Sequence, residues 1–177
     1  MLDKSAVNLP FLSILMTVYN REKFIAEAIE SVLHSTYKHF EFIIVDDCST
    51  DRSVEIAQIY ENKDPRIKVY INAHNLGQFP NRNKAAGLAK GEYFLYVDSD
   101  DTIEKNSIEY LLHSFQKFPD SLHSSIYFGH DFKDPRLIDS SSAIRDHFFR
   151  NNTLAGGPGA RCFKRVFYEQ MKGYPEK

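Results

Sequence analysis

The sequence predicts one α/β domain with a Rossmann-like, mostly parallel sheet flanked by helices, and three observations predict it. Short apolar runs rich in β-branched and aromatic residues recur through the first hundred positions. Segments of helical period separate them. The chain, 177 residues and 42% hydrophobic, is long enough for one ordinary core and too short for two substantial domains.

The apolar runs are 12–18 (LSILMTV), 40–45 (FEFIIV), 67–71 (IKVYI) and 93–97 (YFLYV). Each is mostly unbroken by polar alternation, as strands covered on both faces read. Between them, Phe24, Ile25, Ala28, Ile29, Val32 and Leu33 form one apolar stripe at helical spacing, and Val54, Ala57, Ile59 and Tyr60 form a second. A helix is expected to open in 75–84 and run to Ala89, and Ile108, Leu111, Leu112 and Phe115 mark a further one starting near Glu104. Alternation of strand and helix implies parallel strands joined by right-handed crossovers. After Pro119 the regularity fades: 131–142 is polar and turn-rich, 155–159 (AGGPG) reads as a loop, and a helical pattern resumes over 163–171 before Gly173. The expected organisation is a single domain, 1–177, with one half at 10–118 and a less regular portion at 119–177.

Charge and cysteines narrow the class. With 22 Lys+Arg against 24 Asp+Glu the formal net charge is −2, so no broad field gathers nucleic acid or an anionic membrane, and an anionic ligand has to be held by placed groups or a metal. Cys48 and Cys162 are too few for a disulfide framework or an ordinary zinc site, which fits a reducing, cytoplasmic setting. The run at 11–18 follows Asp3 and leads into Tyr-Asn-Arg-Glu rather than small cleavage-site residues, so it reads as a strand and not a signal peptide. No apolar run approaches the roughly 18 to 20 residues that span a bilayer. The seven histidines show no pair at the i, i+4 spacing of a helical metal site.

In open parallel sheets ligands bind beyond the carboxyl ends of the strands, so the residues just after each apolar run carry the chemistry. The first run leads into Thr17-Val-Tyr19-Asn20, the second into Asp46-Asp47-Cys-Ser-Thr-Asp51, and the fourth into Asp98-Ser99-Asp100-Asp101. Three acids within four residues repel one another unless something positive sits among them. A divalent cation meets that need: oxygen ligands select Mg²⁺ or Mn²⁺, which use one or two carboxylates and leave the other positions to water and phosphate. Alternatively Asp100 or Asp101 caps the following helix. Asp46 and Asp47 are either turn formers or, for Asp47, a fixed acceptor for an imide N–H such as uracil's, whereas Asp51 reads as a turn former. Tyr19 either supplies a flat face for a base or packs in the core. Arg82 and Lys84 either neutralise phosphate or are solvated surface charge, and Gly156, Gly157 and Gly159 either admit a sugar or simply turn the chain.

Taken together, Thr17-x-Tyr19-Asn20, Val45-Asp-Asp-Cys-Ser-Thr-Asp51, Asn75-x-Gly77, Arg82-Asn83, Gly91-Glu-Tyr93 and Val97-Asp-Ser-Asp-Asp101 resemble the family 2 glycosyltransferases, in order and over roughly residues 12–175. The resemblance implies an A-type glycosyltransferase fold, a nucleotide-sugar donor, UDP by preference, a Mn²⁺ or Mg²⁺ ion, and transfer to a glycan or lipid-linked acceptor with inversion. It implies work at the cytoplasmic face of the membrane, without nucleic acid. By motif, Thr17, Tyr19, Asn20, Asp47, Arg82, Asp98, Ser99 and Asp100 would bind the donor. Tyr19 would stack on the base and Asp47 bind it, Asp98 would lie by the ribose and phosphates, and Asp100, with Asp98, would hold the metal. In the family the general base follows a Gly-Tyr-Pro-Glu-like segment, matched here at 173–176, so no catalytic base is assigned and 119–177 is expected to be a partial acceptor half. A nucleotide-sugar-binding fragment without turnover is the alternative. A nucleotidyltransferase is disfavoured by the absence of glycine from 18–22, a phospho-receiver by the missing acidic pair after the first strand, and a P-loop by the missing G-x-x-x-x-G-K-[ST].

Overall fold

The computed structural model describes residues 10–125 and 161–175. In chain order the elements are β1 (Leu12–Val18), α1 (Ile25–Leu33), β2 (Phe40–Asp46), α2 (Ser53–Glu61), β3 (Ile67–Ile71), α3 (Gln78–Leu88), β4 (Tyr93–Tyr96), α4 (Ser107–Lys117), β5 (His123–Ser125), β6 (Arg161–Lys164) and α5 (Arg165–Gln170). One sheet contains all six strands in the order β3-β2-β1-β4-β6-β5. β1 pairs in parallel with β2 and β4, and β2 with β3; β6 runs antiparallel to both β4 and β5. The mostly parallel α/β sheet expected from the sequence is therefore the fold.

The period-2 alternation of the central strands sorts their side chains onto two covered faces. Leu12, Ile14, Met16 and Val18 of β1 pack with Ile25, Ala28, Ile29 and Val32 of α1 and with Ile108, Leu111, Leu112 and Phe115 of α4. On the opposite face Leu15, Ile43, Val45, Phe94 and Tyr96 pack against Ala85 and Ala86 of α3. Both α1 and α4 present the stripes read from their spacing, apart from Phe24, which is exposed.

Several expectations are corrected. β3 is an edge strand, with Tyr70 and Ile71 exposed, because an apolar run at the rim needs cover on one face only. In α2, Ala57 is buried but Ile59 is exposed, so the second stripe is narrower than its composition suggested. α4 begins at Ser107 with Asn106 before it, later than the expected start near Glu104, so neither Asp100 nor Asp101 caps that helix. β5 and β6 were not foreseen: they are short, and β5 is polar (HSS). The helical pattern at 163–171 shortens to α5 because its first residues belong to β6. The segment 131–142 and Gly156, Gly157 and Gly159 lie outside the described residues.

Gly91, at the entry to β4, lies so close to β1 that a Cβ there would fall 2.4 Å from the Ser13 nitrogen and 2.7 Å from the Phe11 oxygen. Its N–H donates to Ser13 Oγ, which in turn donates to Glu41. The obstacle is backbone and cannot step aside by rotamer change, so Gly91→Ala is expected to lower stability by about 2 kcal/mol in urea titration. A loss below about 0.5 kcal/mol, the range of neutral surface changes, would contradict the close approach.

Candidate functional site

Parallel pairing brings the candidate loops together. Val18 lies opposite Asp46, the Asp47 N–H donates to the Val18 carbonyl, and the Val97 N–H donates to the Leu15 carbonyl. The segments after β1, β2 and β4 therefore share the carboxyl edge of the sheet. Alternation continues past the strand ends, so Asp47 and Asp98 project toward α3, where side chains of that helix and its approach meet them.

Asp47 is 3% exposed, and its carboxylate is clasped by the loop leading into α3. Oδ1 accepts from Asn72 Nδ2 (2.7 Å) and the Leu76 N–H (2.8 Å), and Oδ2 accepts from the Gly77 N–H (2.9 Å). Gly77, at φ 88°, takes a conformation that side-chain-bearing residues rarely adopt and so turns the loop onto the carboxylate. A carboxylate has about four acceptor positions, so Asp47 keeps one, on Oδ2. Asn72 also donates to Asn81 Oδ1 and accepts from Lys84 Nζ (2.6 Å). Lys84 is exposed, and one of the three donors of its ammonium is engaged by Asn72.

Asn20 occupies the left-handed region (φ 53°), which asparagine tolerates better than most residues. Its N–H donates to Ser49 Oγ and its Oδ1 accepts from the Thr50 N–H (2.9 Å), stapling the β1 loop to the β2 loop. Asp51 is the turn former expected, accepting from the N–H and hydroxyl of Ser53 and from the N–H of Glu22. Asp46 accepts from the Ser49 N–H through Oδ1, while its Oδ2 is buried without a partner among the described residues. Thr17 is half-buried beside Val45. Tyr19 is 47% exposed, which removes the core-packing reading and leaves a ring face open to a ligand.

At the β4 end, Arg82 is 3% exposed and its Nη2 lies 2.6 Å from Asp98 Oδ1. Its guanidinium sits over the rings of Tyr96 (5.3 Å) and Tyr174 (5.8 Å), and the Tyr96 hydroxyl donates to its carbonyl. Arg82 is therefore a buried counter-ion of Asp98 rather than solvated charge. Ser99 is buried. Asp100 is nearly half exposed and pairs with Arg21, Nε to Oδ2 3.2 Å. The Asp101 carboxyl is pushed above its ordinary range by burial first, and then by the negative charges of Asp98 and Asp100.

That residual negative field, with a partly exposed Asp100 at its mouth, fits a divalent cation. Among the described residues no three His, Cys, Asp or Glu side chains converge to hold a metal. A cation at Asp100 must take its remaining ligands from water and phosphate, as Mg²⁺ commonly does. The residues that sequence reasoning missed are Asn72, Asn81, Arg21 and Tyr174. Asn72 follows β3 and was within reach of the strand-end rule; for Asn81 and Tyr174 no sequence signal distinguishes the role. A separate cavity of about 360 Å³ is lined by Asn83, Ala86, Phe94, Arg165, Tyr168 and Glu169 among others, and by none of the strand-end acids.

The family model for glycosyl transferase family 2 matches residues 13–171. The chain belongs to that family. It is 41% identical over 166 residues to the putative glycosyltransferase EpsH of Bacillus subtilis, covering 93% of this chain and 45% of EpsH. It is 42% identical over 100 residues to the putative teichuronic acid biosynthesis glycosyltransferase TuaG of the same organism, covering 56% of this chain and 40% of TuaG. The S. aureus TarS 1–349 structure in complex with UDP superposes with a TM-score of 0.71 at 26% identity, over 95% of this chain and 51% of that one. This family 2 chain spans less than half the length of those two curated relatives. No helix among its described residues is long and apolar enough to cross a membrane.

Proposed function

We propose that this family 2 chain binds a nucleotide-sugar donor, UDP-linked by preference, through residues 10–118, and that residues 119–177 contribute part of the acceptor half of an inverting transferase. The observation that carries the reading is the convergence of an exposed Tyr19, a pinned Asp47 and an accessible Asp100 on the carboxyl edge of one sheet. The UDP complex of the TarS structure supports the choice of nucleotide. In this reading the uracil ring lies on Tyr19, and its imide N–H donates to the remaining acceptor position of Asp47 Oδ2. Thr17 borders the base, and Asn20 keeps the two flanking loops in register.

Arg82 holds the Asp98 carboxylate fixed beside the ribose and phosphates, and Ser99 sets the turn that presents Asp100. Asp100, with Asp98 next to it, is the side chain that would hold Mn²⁺ or Mg²⁺. When bound, that ion offsets charge on the diphosphate as the sugar–phosphate bond breaks. An acceptor hydroxyl forms its bond to the anomeric carbon on the face opposite the departing diphosphate, and a single displacement inverts that centre. The acceptor hydroxyl also requires a base within hydrogen-bond reach, and no described residue is assigned to it. The name of the TuaG relative, a putative teichuronic acid biosynthesis glycosyltransferase, supports a glycan acceptor; a lipid-linked acceptor at the cytoplasmic face of a membrane belongs to the same proposal.

Calorimetric titration with UDP, GDP and dTDP tests the donor site. UDP is expected to bind in the presence of Mn²⁺, and EDTA or Asp100→Ala to weaken it roughly 100-fold, equivalent to about 2.7 kcal/mol. No binding of any of the three, with or without metal, would sink the proposal.

A further inference from the structure

Arg21 stands at the mouth of this edge, between two of its loops. Its backbone is fixed: the N–H donates to Ser53 Oγ (2.8 Å), and its carbonyl accepts from the N–H groups of Phe24 and Ile25 as α1 begins. Its side chain is 42% exposed and spans the gap, with Nη1 donating to the carbonyls of Tyr19 and Asn20 and Nε paired to Asp100 across the mouth. The other two cations expected to meet phosphate have buried or half-buried partners of their own, Arg82 with Asp98 and Lys84 with Asn72. Arg21 differs in being paired to the very carboxylate that a metal would claim.

We infer that Arg21 is the counter-ion of Asp100 in the donor-free protein and becomes a ligand of the donor's diphosphate once a divalent cation takes Asp100. The inference rests on the proposed metal at Asp100. An ion pair this exposed is weak, worth about two- to five-fold in an equilibrium constant, so a doubly charged ion displaces it readily. Release leaves the guanidinium anchored beside the Tyr19 and Asn20 carbonyls, with donors that match the planar, bidentate geometry of phosphate oxygens. The exchange also keeps the mouth from holding unopposed carboxylates before the donor arrives.

Arg21→Met keeps the length of the side chain and removes the charge, at a position too exposed to endanger the fold. Water-proton relaxation, which reads weak Mn²⁺ binding, is expected to show Mn²⁺ alone held about two- to five-fold more tightly by Arg21→Met than by wild type. At saturating Mn²⁺ the same variant is expected to bind UDP about ten-fold more weakly, while uridine, which lacks phosphate, binds as to wild type. A simple structural role would lower every affinity together and could not raise that for Mn²⁺. An Mn²⁺ affinity that is not raised, or a UDP affinity that is not lowered, overturns the exchange. Failure of wild type to bind Mn²⁺ either alone or with UDP would instead remove the metal reading on which the exchange rests.

Discussion

Replacing Asp47 with alanine is expected to destabilise the protein by about 3 kcal/mol, the larger part of the stability of an ordinary small domain at the low end of the range. The carboxylate accepts from the Leu76 and Gly77 N–H groups and from Asn72 Nδ2; all three bonds would go at once, although the Gly77 N–H also donates to Asn75 Oδ1. Hydrogen bonds to a charged acceptor contribute roughly 1.5 to 3 kcal/mol each, and the sum is reduced here because Leu76 and Gly77 are half-buried and can recruit water. Asn72 is 4% exposed and cannot do so as easily. Urea denaturation of wild type and Asp47→Ala reads the difference, and a loss under about 1 kcal/mol would mean that the loop holds its shape without the carboxylate. The same result bears on function: weakened nucleotide binding in Asp47→Ala reports a displaced loop as much as a lost contact to the base. The base contact is better read through Tyr19.

Arg82→Met is expected to cost about 2 to 3 kcal/mol. Methionine approximates the stem of the arginine, so packing is largely kept, but Asp98 is left unpaired beside Asp100 and Asp101. Breaking a buried pair by removing one partner costs roughly 3 to 5 kcal/mol, and the lower figure here reflects the 26% exposure of the Asp98 side chain. Tyr96 and Tyr174 also lose the guanidinium between them. The double variant Arg82→Met/Asp98→Asn is expected to recover more than half of the loss, because the uncompensated charge goes with the aspartate. Stability of Arg82→Met within about 0.5 kcal/mol of wild type would contradict the pairing.

The four leading strands were legible because each is a run of β-branched and aromatic residues, and α1 and α4 because their apolar positions keep helical spacing. What composition could not tell was which strand lies at the rim: β3 is as apolar as its neighbours, and its place beside β2 alone decides that Tyr70 and Ile71 stay exposed. β6 is four residues long with basic ends, Arg161 and Lys164, and pairs with β4 through three of them; a run that short carries no periodicity to read. The strand-end rule placed Asp47, Asp98 and Asp100 on one edge. It could not say which charges would already be paired, because Arg82 reaches Asp98 from a helix whose own apolar stripe is weak, and Asp47 is clasped by a loop whose course depends on the left-handed Gly77. Sequence reasoning therefore found the acids, and only geometry shows that Asp47 also organises the fold while Asp100 stays accessible.

In the proposed function the nucleotide lies along this carboxyl edge, with its diphosphate at Asp100. A crystal structure of the protein with UDP and Mn²⁺ tests it most directly. Uracil is expected against the Tyr19 ring, with Asp100 released from Arg21 and holding the metal beside the diphosphate. Nucleotide found elsewhere, in the cavity beside Tyr168 and Arg165 for example, with Asp100 still paired to Arg21, would contradict it.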